Sequence, residues 1–197
     1  MKVYRRARPP APVPVSGLGA RIGRVADACA RDRALFEVLV RALMCTVELE
    51  DRLAKRGRVR SRVPLRNVLS GPWDSDPSEL EEARSVDPGS YADYLESSPP
   101  LLVAFETVLG EVLYAVDRGS ARVTVAKERG LGRIPAEVYA PPYRLPSTLA
   151  VSLRRGEPGW IIVVGGNPPE VALPVGGREA VEAVSLLLEL RGSKVRK

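Results

Sequence analysis

The sequence predicts an α+β fold: an N-terminal helical layer packed with a small antiparallel sheet that a C-terminal helix caps. Three observations carry this. Apolar residues recur at helical spacing through 18–56 and again through 99–118. Short apolar runs broken by Gly, Asn and Pro turns follow at 148–175. The segment GREAVEAVSLLLELRG (177–192) then reads as an amphipathic helix ended by Gly192. The chain has 197 residues, 45% hydrophobic and 27% charged, which is a globular balance with enough length to build a core.

Residues 1–17 carry Pro9, Pro10, Pro12 and Pro14 among Lys2, Arg5, Arg6 and Arg8. Closely spaced prolines favour extended polyproline II and build no core, so a flexible basic arm is expected. It has no apolar stretch of the kind a secretory signal needs, and no run approaches a membrane span. A cytoplasmic location without membrane contact is the expectation. From 18 to 197 a single α+β domain is expected, helical over 18–118, sheet plus helix over 119–192, with a basic tail at 193–197.

Within 20–56, read as one helix, Ile22, Val25, Cys29, Phe36, Leu39, Leu43 and Leu53 share a face. Leu35, Val38, Ala42, Cys45 and Leu49 mark the opposite side. The stretch 34–49 therefore predicts a segment buried all round, in a bundle or a homodimer interface. One continuous helix places Cys29 and Cys45 about 24 Å apart along the axis. A disulfide needs Cα atoms within about 7 Å, so only a break near Arg31–Asp32 would permit one. Two buried thiols are expected. Two cysteines and no histidine give no zinc site.

Residues 52–66 (RLAKRGRVRSRVPLR) hold seven basic residues. After Gly57, Arg58, Arg60 and Arg62 alternate with Val59, Ser61 and Val63. An extended strand puts all three arginines on one face. Residues 72–98 reverse the sign: Asp74, Asp76, Glu79, Glu81, Glu82, Asp87, Asp93 and Glu96 stand against Arg84. Asp76-Pro77 starts a helix and Ser90 caps another. This acidic run either pairs with the basic row or repels nucleic acid from its own side.

Residues 99–118 fit the i, i+3, i+4 pattern from Leu101 to Val116 and predict a second long helix, closed by Gly119 and packed on 34–49. Segments 121–127 and 136–140 predict strands, as do 148–155, 159–165 and 170–175. Glu157-Pro158-Gly159 and Gly166-Asn167-Pro168 are the turns between the last three.

The function classes narrow from there. Histidine, the commonest general base, is absent, and no GxSxG, HExxH, CxxC or P-loop occurs. A non-enzyme without cofactor or metal is expected. GLGARIG (17–23) follows prolines rather than a strand, so it reads as a helix entry and not a dinucleotide fingerprint. VGGRE (175–179) is a strand-to-helix turn whose free N–H groups suit an anion. VAKERGLGRIPAEVY (125–139) has the small-x-x-x-Gly spacing of a helix-turn-helix, but Pro135 and Pro141-Pro142 leave no length for a recognition helix.

The net charge is +6 and the pI about 9.6. Twenty-five arginines stand against five lysines, with no glutamine and two asparagines. Scarce thermolabile residues and Pro-rich loops point to a heat-loving, archaeal source. The basic balance favours a nucleic-acid partner. Cationic grooves with stacking aromatics bind single strands, DNA or RNA, with little sequence preference. The candidate contacts are Arg58, Arg60, Arg62, Arg66, Arg154 and Arg155, with Trp160, Tyr143 and Trp73 as aromatics. The bland alternative makes Trp160 a core anchor and the arginines solvated charges or partners for the acidic run. The competing function is a structural or assembly subunit of a larger ribonucleoprotein or viral complex.

Overall fold

The computed structural model describes residues 19–45, 56–107, 110–144, 150–155, 160–165 and 171–175, with single helical positions at 182, 185 and 186. The arm at 1–17, residues 46–55, the turns at 156–159 and 166–170, the VGGRE glycines and the tail at 193–197 lie outside the described residues.

The fold is α+β, as the sequence predicts. Two helices open it, α1 (Gly19–Arg31) and α2 (Arg33–Cys45). The expected single helix is interrupted at Asp32. Its side chain accepts the Leu35 N–H at 3.1 Å, so it caps α2 as an N-terminal aspartate does. The backbone ladder still passes through it, with Asp32 N–H bonded to Ala28 O and Phe36 N–H to Asp32 O. The helices therefore follow on from each other, and Cys29 is a free, buried thiol. Ile22, Val25, Cys29, Leu35, Phe36, Leu39 and Leu43 are buried. Ala34, Glu37 and Arg41 are exposed, so within 34–44 α2 buries a broad face rather than its whole surface.

A five-stranded mixed sheet lies beneath, in the order β1-β5-β3-β4-β2. The strands are β1 (Gly57–Pro64), β2 (Val68–Leu69), β3 (Leu101–Glu106), β4 (Val112–Arg118) and β5 (Arg133–Arg144). β1 and β5 are antiparallel, β5 and β3 parallel, β3 and β4 antiparallel, β4 and β2 parallel. The two outer strands β1 and β2 are joined by one 3-10 turn, Leu65–Asn67, tied by Leu65 N–H to Gly132 O. The sheet is therefore strongly curled.

Residues 99–118, expected as a helix, are the β3–β4 hairpin. Thr107 N–H to Glu111 O and Gly110 N–H to Thr107 O close its turn. The cause is burial on both sides. Leu101, Val103 and Phe105 face α1 and α2, while Leu102 and Ala104 face the opposite helices. A strand covered on both faces reads as a continuous apolar run, and periodicity does not separate it from a buried helix. The helical part expected over 18–118 thus contains four of the five strands.

The second helical layer is α3 (Pro77–Ser85), α4 (Tyr91–Ser97) and α5 (Ser120–Glu128). Asp76 caps α3 as expected, accepting the Ser78 N–H. Ser90 precedes α4 without a side-chain cap, and Asp87 instead accepts from Gly89 and Ser90. α5 corrects the strand expected at 121–127. Its Val123, Thr124 and Val125 prefer strands, but the helix is buried nearly all round, and packing outweighs propensity. It ends in a Schellman motif: Leu131 N–H bonds Ala126 O and Gly130 N–H bonds Lys127 O, with Gly130 at φ +71°. β5 follows at once, so no recognition helix follows α5.

The C-terminal meander is as expected: β6 (Ala150–Arg155), β7 (Trp160–Gly165) and β8 (Val171–Val175) pair antiparallel in that order. β8 lies against α2. Leu186, at a helical position of the expected final helix, packs on the α1–α2 core.

Candidate functional site

β1 is the outer strand that carries the basic row. Residues 57–62 are exposed on both faces of the strand, and only Val63 is buried. Val59, 51% exposed, is the one exposed large hydrophobic among the described residues. Register sets the faces. Arg58, Arg60 and Arg62 pair with Tyr139, Glu137 and Pro135, and Pro64 pairs with Arg133. Alternation therefore puts Arg58, Arg60, Arg62 and Arg133 on one face. Arg133 was not evident from its own neighbourhood in the sequence. It reaches the row because β5 pairs back on β1, and it donates to Arg62 O at 2.7 Å.

The arginines have partners. Arg58 lies 3.6 Å from Glu137 and 5.5 Å above the Tyr139 ring centroid. Glu96 serves two arginines at once: Oε1 is 2.6 Å from Arg62 Nη2 and Oε2 is 3.3 Å from Arg60 Nη2. Arg60 also donates to the Glu96 carbonyl. The acidic run thus does pair with the basic row, through Glu96 at the end of α4. Four arginines face two carboxylates, leaving the strand positive. Arg66 is exposed on the 3-10 turn beyond β1.

The predicted aromatics divide. Tyr143 is 8% exposed, beside Phe105 and beneath Arg56, whose guanidinium lies 3.5 Å from the ring centroid. Its ring is not open to a base. The reason is its strand face, which is turned to the α1–α2 layer. Arg56, which the sequence placed in the helix, donates to Pro141 O. Trp73 is partly buried against Phe36, edge to face at 6.5 Å. Trp160 pairs with Arg155 in the β6–β7 register, next to Arg154 opposite Ile161. The side chains of these three lie outside the described residues, and among the described strands β6, β7 and β8 form a sheet separate from that of β1.

A second polar feature lies nearby. A cleft of about 660 Å³ is lined by Asp74, Asp76, Glu79, Glu82 and Asp117, with Arg118 and Arg122 beside the start of α5. Burial pushes Asp74 up to about 6. Hydrogen bonds from Ser78 hold Asp76 below the usual carboxylate range. Asp117 accepts the Tyr139 hydroxyl at 3.0 Å and so connects the cleft to the arginine face. Burial, then this bond, raises Tyr139. Among the described residues no group of three or more acidic, Cys or His side chains is placed to hold a metal.

A partly buried cation stands in the last turn of α5. Lys127 of α5 donates to Val68 O at 2.7 Å, and burial lowers it to about 8. Cys29 lies within its field, and burial pushes that thiol up to about 12, leaving it protonated and unreactive.

No helix among the described residues is long and apolar enough to cross a membrane. In comparison with known proteins, no family model and no curated protein matches this chain.

Proposed function

We propose that the protein is a non-catalytic nucleic-acid-binding protein that holds phosphates with the arginines of β1, with single-stranded DNA or RNA as the favoured ligand. One observation carries the reading: an outer strand, exposed on both faces, presents Arg58, Arg60 and Arg62 in line with Arg133 beside them. Alternate strand residues are about 6.6 Å apart, so the row is a narrow linear track of charge. A flexible single strand follows such a track more readily than a stiff duplex. Guanidinium groups match phosphate oxygens in pairs. Tyr139 and Tyr143 are taken up by Arg58 and Arg56, which leaves stacking to Trp160.

The test is fluorescence anisotropy with labelled single-stranded DNA, duplex DNA and RNA from 50 to 200 mM salt. Three phosphate contacts on a single strand predict a slope of log affinity against log salt near ~−2. Absence of binding to all three at 50 mM rejects the reading.

A second reading is an assembly subunit. β1 has β5 on one side and no strand on the other among the described residues. Such an edge accepts an added strand, although arginines on it also discourage edge-to-edge aggregation. Light scattering distinguishes the two: an oligomer without nucleic-acid affinity favours the subunit.

A further inference from the structure

We infer that Glu96 is a built-in counter-anion of the β1 arginine row, displaced by the phosphate that binds there, and that it sets the affinity and salt dependence of the site. This rests on the nucleic-acid reading above.

One carboxylate holds two guanidinium groups, Arg62 at 2.6 Å and Arg60 at 3.3 Å, and so occupies the donor edges that a phosphate needs. Its position is fixed from below. Glu96 stands in the last turn of α4, next to Leu95, which is buried in the core, and Ser98 N–H to Tyr94 O closes the helix end. The carboxylate is therefore delivered by the fold to the middle of the row. It is also displaceable. Arg60, Arg62 and Glu96 are 55%, 69% and 42% exposed, and ion pairs in such surroundings are weak.

An isolated monoanion gains too little to replace this carboxylate. A polyanion that meets Arg58, Arg60, Arg62 and Arg133 in series gains several contacts at once, and those at Arg60 and Arg62 displace the Glu96 pairing. Once a phosphate is seated, the freed carboxylate stands beside it and repels it. Glu96 thus raises the threshold for binding and favours chains of phosphates over single ones.

The experiment compares wild type, Glu96→Gln and Glu81→Gln in anisotropy titrations with a labelled single-stranded oligonucleotide from 50 to 200 mM salt. Glutamine keeps the shape of the side chain and removes its charge. Glu81 is an exposed carboxylate of α3, so its substitution changes net charge equally elsewhere. Glu96→Gln is expected to bind about 5-fold more tightly at 50 mM. Its salt slope should steepen by about 0.7, because mobile anions released on binding then take the place of a fixed carboxylate on the free arginines. Glu81→Gln should stay within about 2-fold of wild type. Equal thermal midpoints confirm that the variants are folded, and Glu96→Ala, which lacks any side-chain acceptor, should behave as Glu96→Gln does. Unchanged or weaker binding by the Glu96 variants, with wild type binding normally, overturns the inference and leaves the nucleic-acid reading standing. Equal gains in the Glu96 and Glu81 variants overturn it too, because net charge alone would then explain them. Absence of binding by every protein at 50 mM defeats the nucleic-acid reading itself, and this inference with it.

Discussion

Gly71 has no side chain because Trp73 takes the space. A Cβ on Gly71 would collide with Trp73 Cε2 and stand 2.6 Å from Cζ2. The indole also meets Phe36 edge to face, so it yields only by giving up that contact. Gly71→Ala is expected to destabilise the fold by about 1–3 kcal/mol, read as a lower denaturant midpoint with an unchanged slope. Lys127 gives a second expectation, on pH. Free lysine titrates near 10.5, and burial lowers Lys127 to about 8. Below 8 the side chain is charged folded and unfolded, and the fold bears the full cost of burying that charge. Above 8 the folded form releases the proton first, so the unfolded chain binds more protons and stability rises with pH. The whole effect is at most about 3 kcal/mol, complete near 10.5. Cys29 acts oppositely from pH 9 upward, because its thiol stays protonated in the fold to about 12. The rise is therefore clearest between pH 8 and 9, and Lys127→Met should abolish it in urea titrations across that range.

At the scale of elements, helix ends decide where strands begin. α5 stops because Gly130, at φ +71°, closes the Schellman motif and turns the chain into β5. Nothing crowds a Cβ there, so Gly130→Ala isolates the cost of the left-handed backbone. It should lower stability by about 1 kcal/mol, measured by thermal denaturation, without altering the β5 register. Elements also explain which sequence expectations failed. α5 is rich in β-branched residues, and β3 carries an apolar run of helical spacing. Each carries the other's local signal, because β3 is buried on both faces and α5 nearly all round, which leaves no clear solvent-facing period. β1 was legible because its solvent face survives: arginine, valine, arginine, serine, arginine.

For the whole molecule, the β1 row takes its form from distant segments that assemble around it. Arg133 arrives through the β5 pairing, Glu137 through the same strand, and Glu96 from the end of α4. The Arg58→Ala, Arg60→Ala, Arg62→Ala triple variant is expected to lose more than about 10-fold in single-strand affinity at low salt. Its salt slope should flatten by about 2. The row lies outside both hydrophobic clusters, so the thermal midpoint should change little. Unchanged binding moves the site elsewhere, with Arg154, Arg155 and Trp160 next in order.

The sequence alone determined the α+β class, the N-terminal helical layer, the strand bearing alternate arginines, the Asp76 cap and the three-stranded C-terminal meander. Each rests on local chemistry: a period set by a solvent-facing side, a capping carboxylate, or a Gly/Pro turn. Tertiary structure decided the rest. It made 101–118 a hairpin and 120–128 a helix, because only packing on both faces distinguishes them. It covered Tyr143 with Arg56, and it joined the basic row to one member of the acidic run. Those outcomes depend on pairings between residues tens of positions apart, which no local pattern of charge or hydrophobicity encodes.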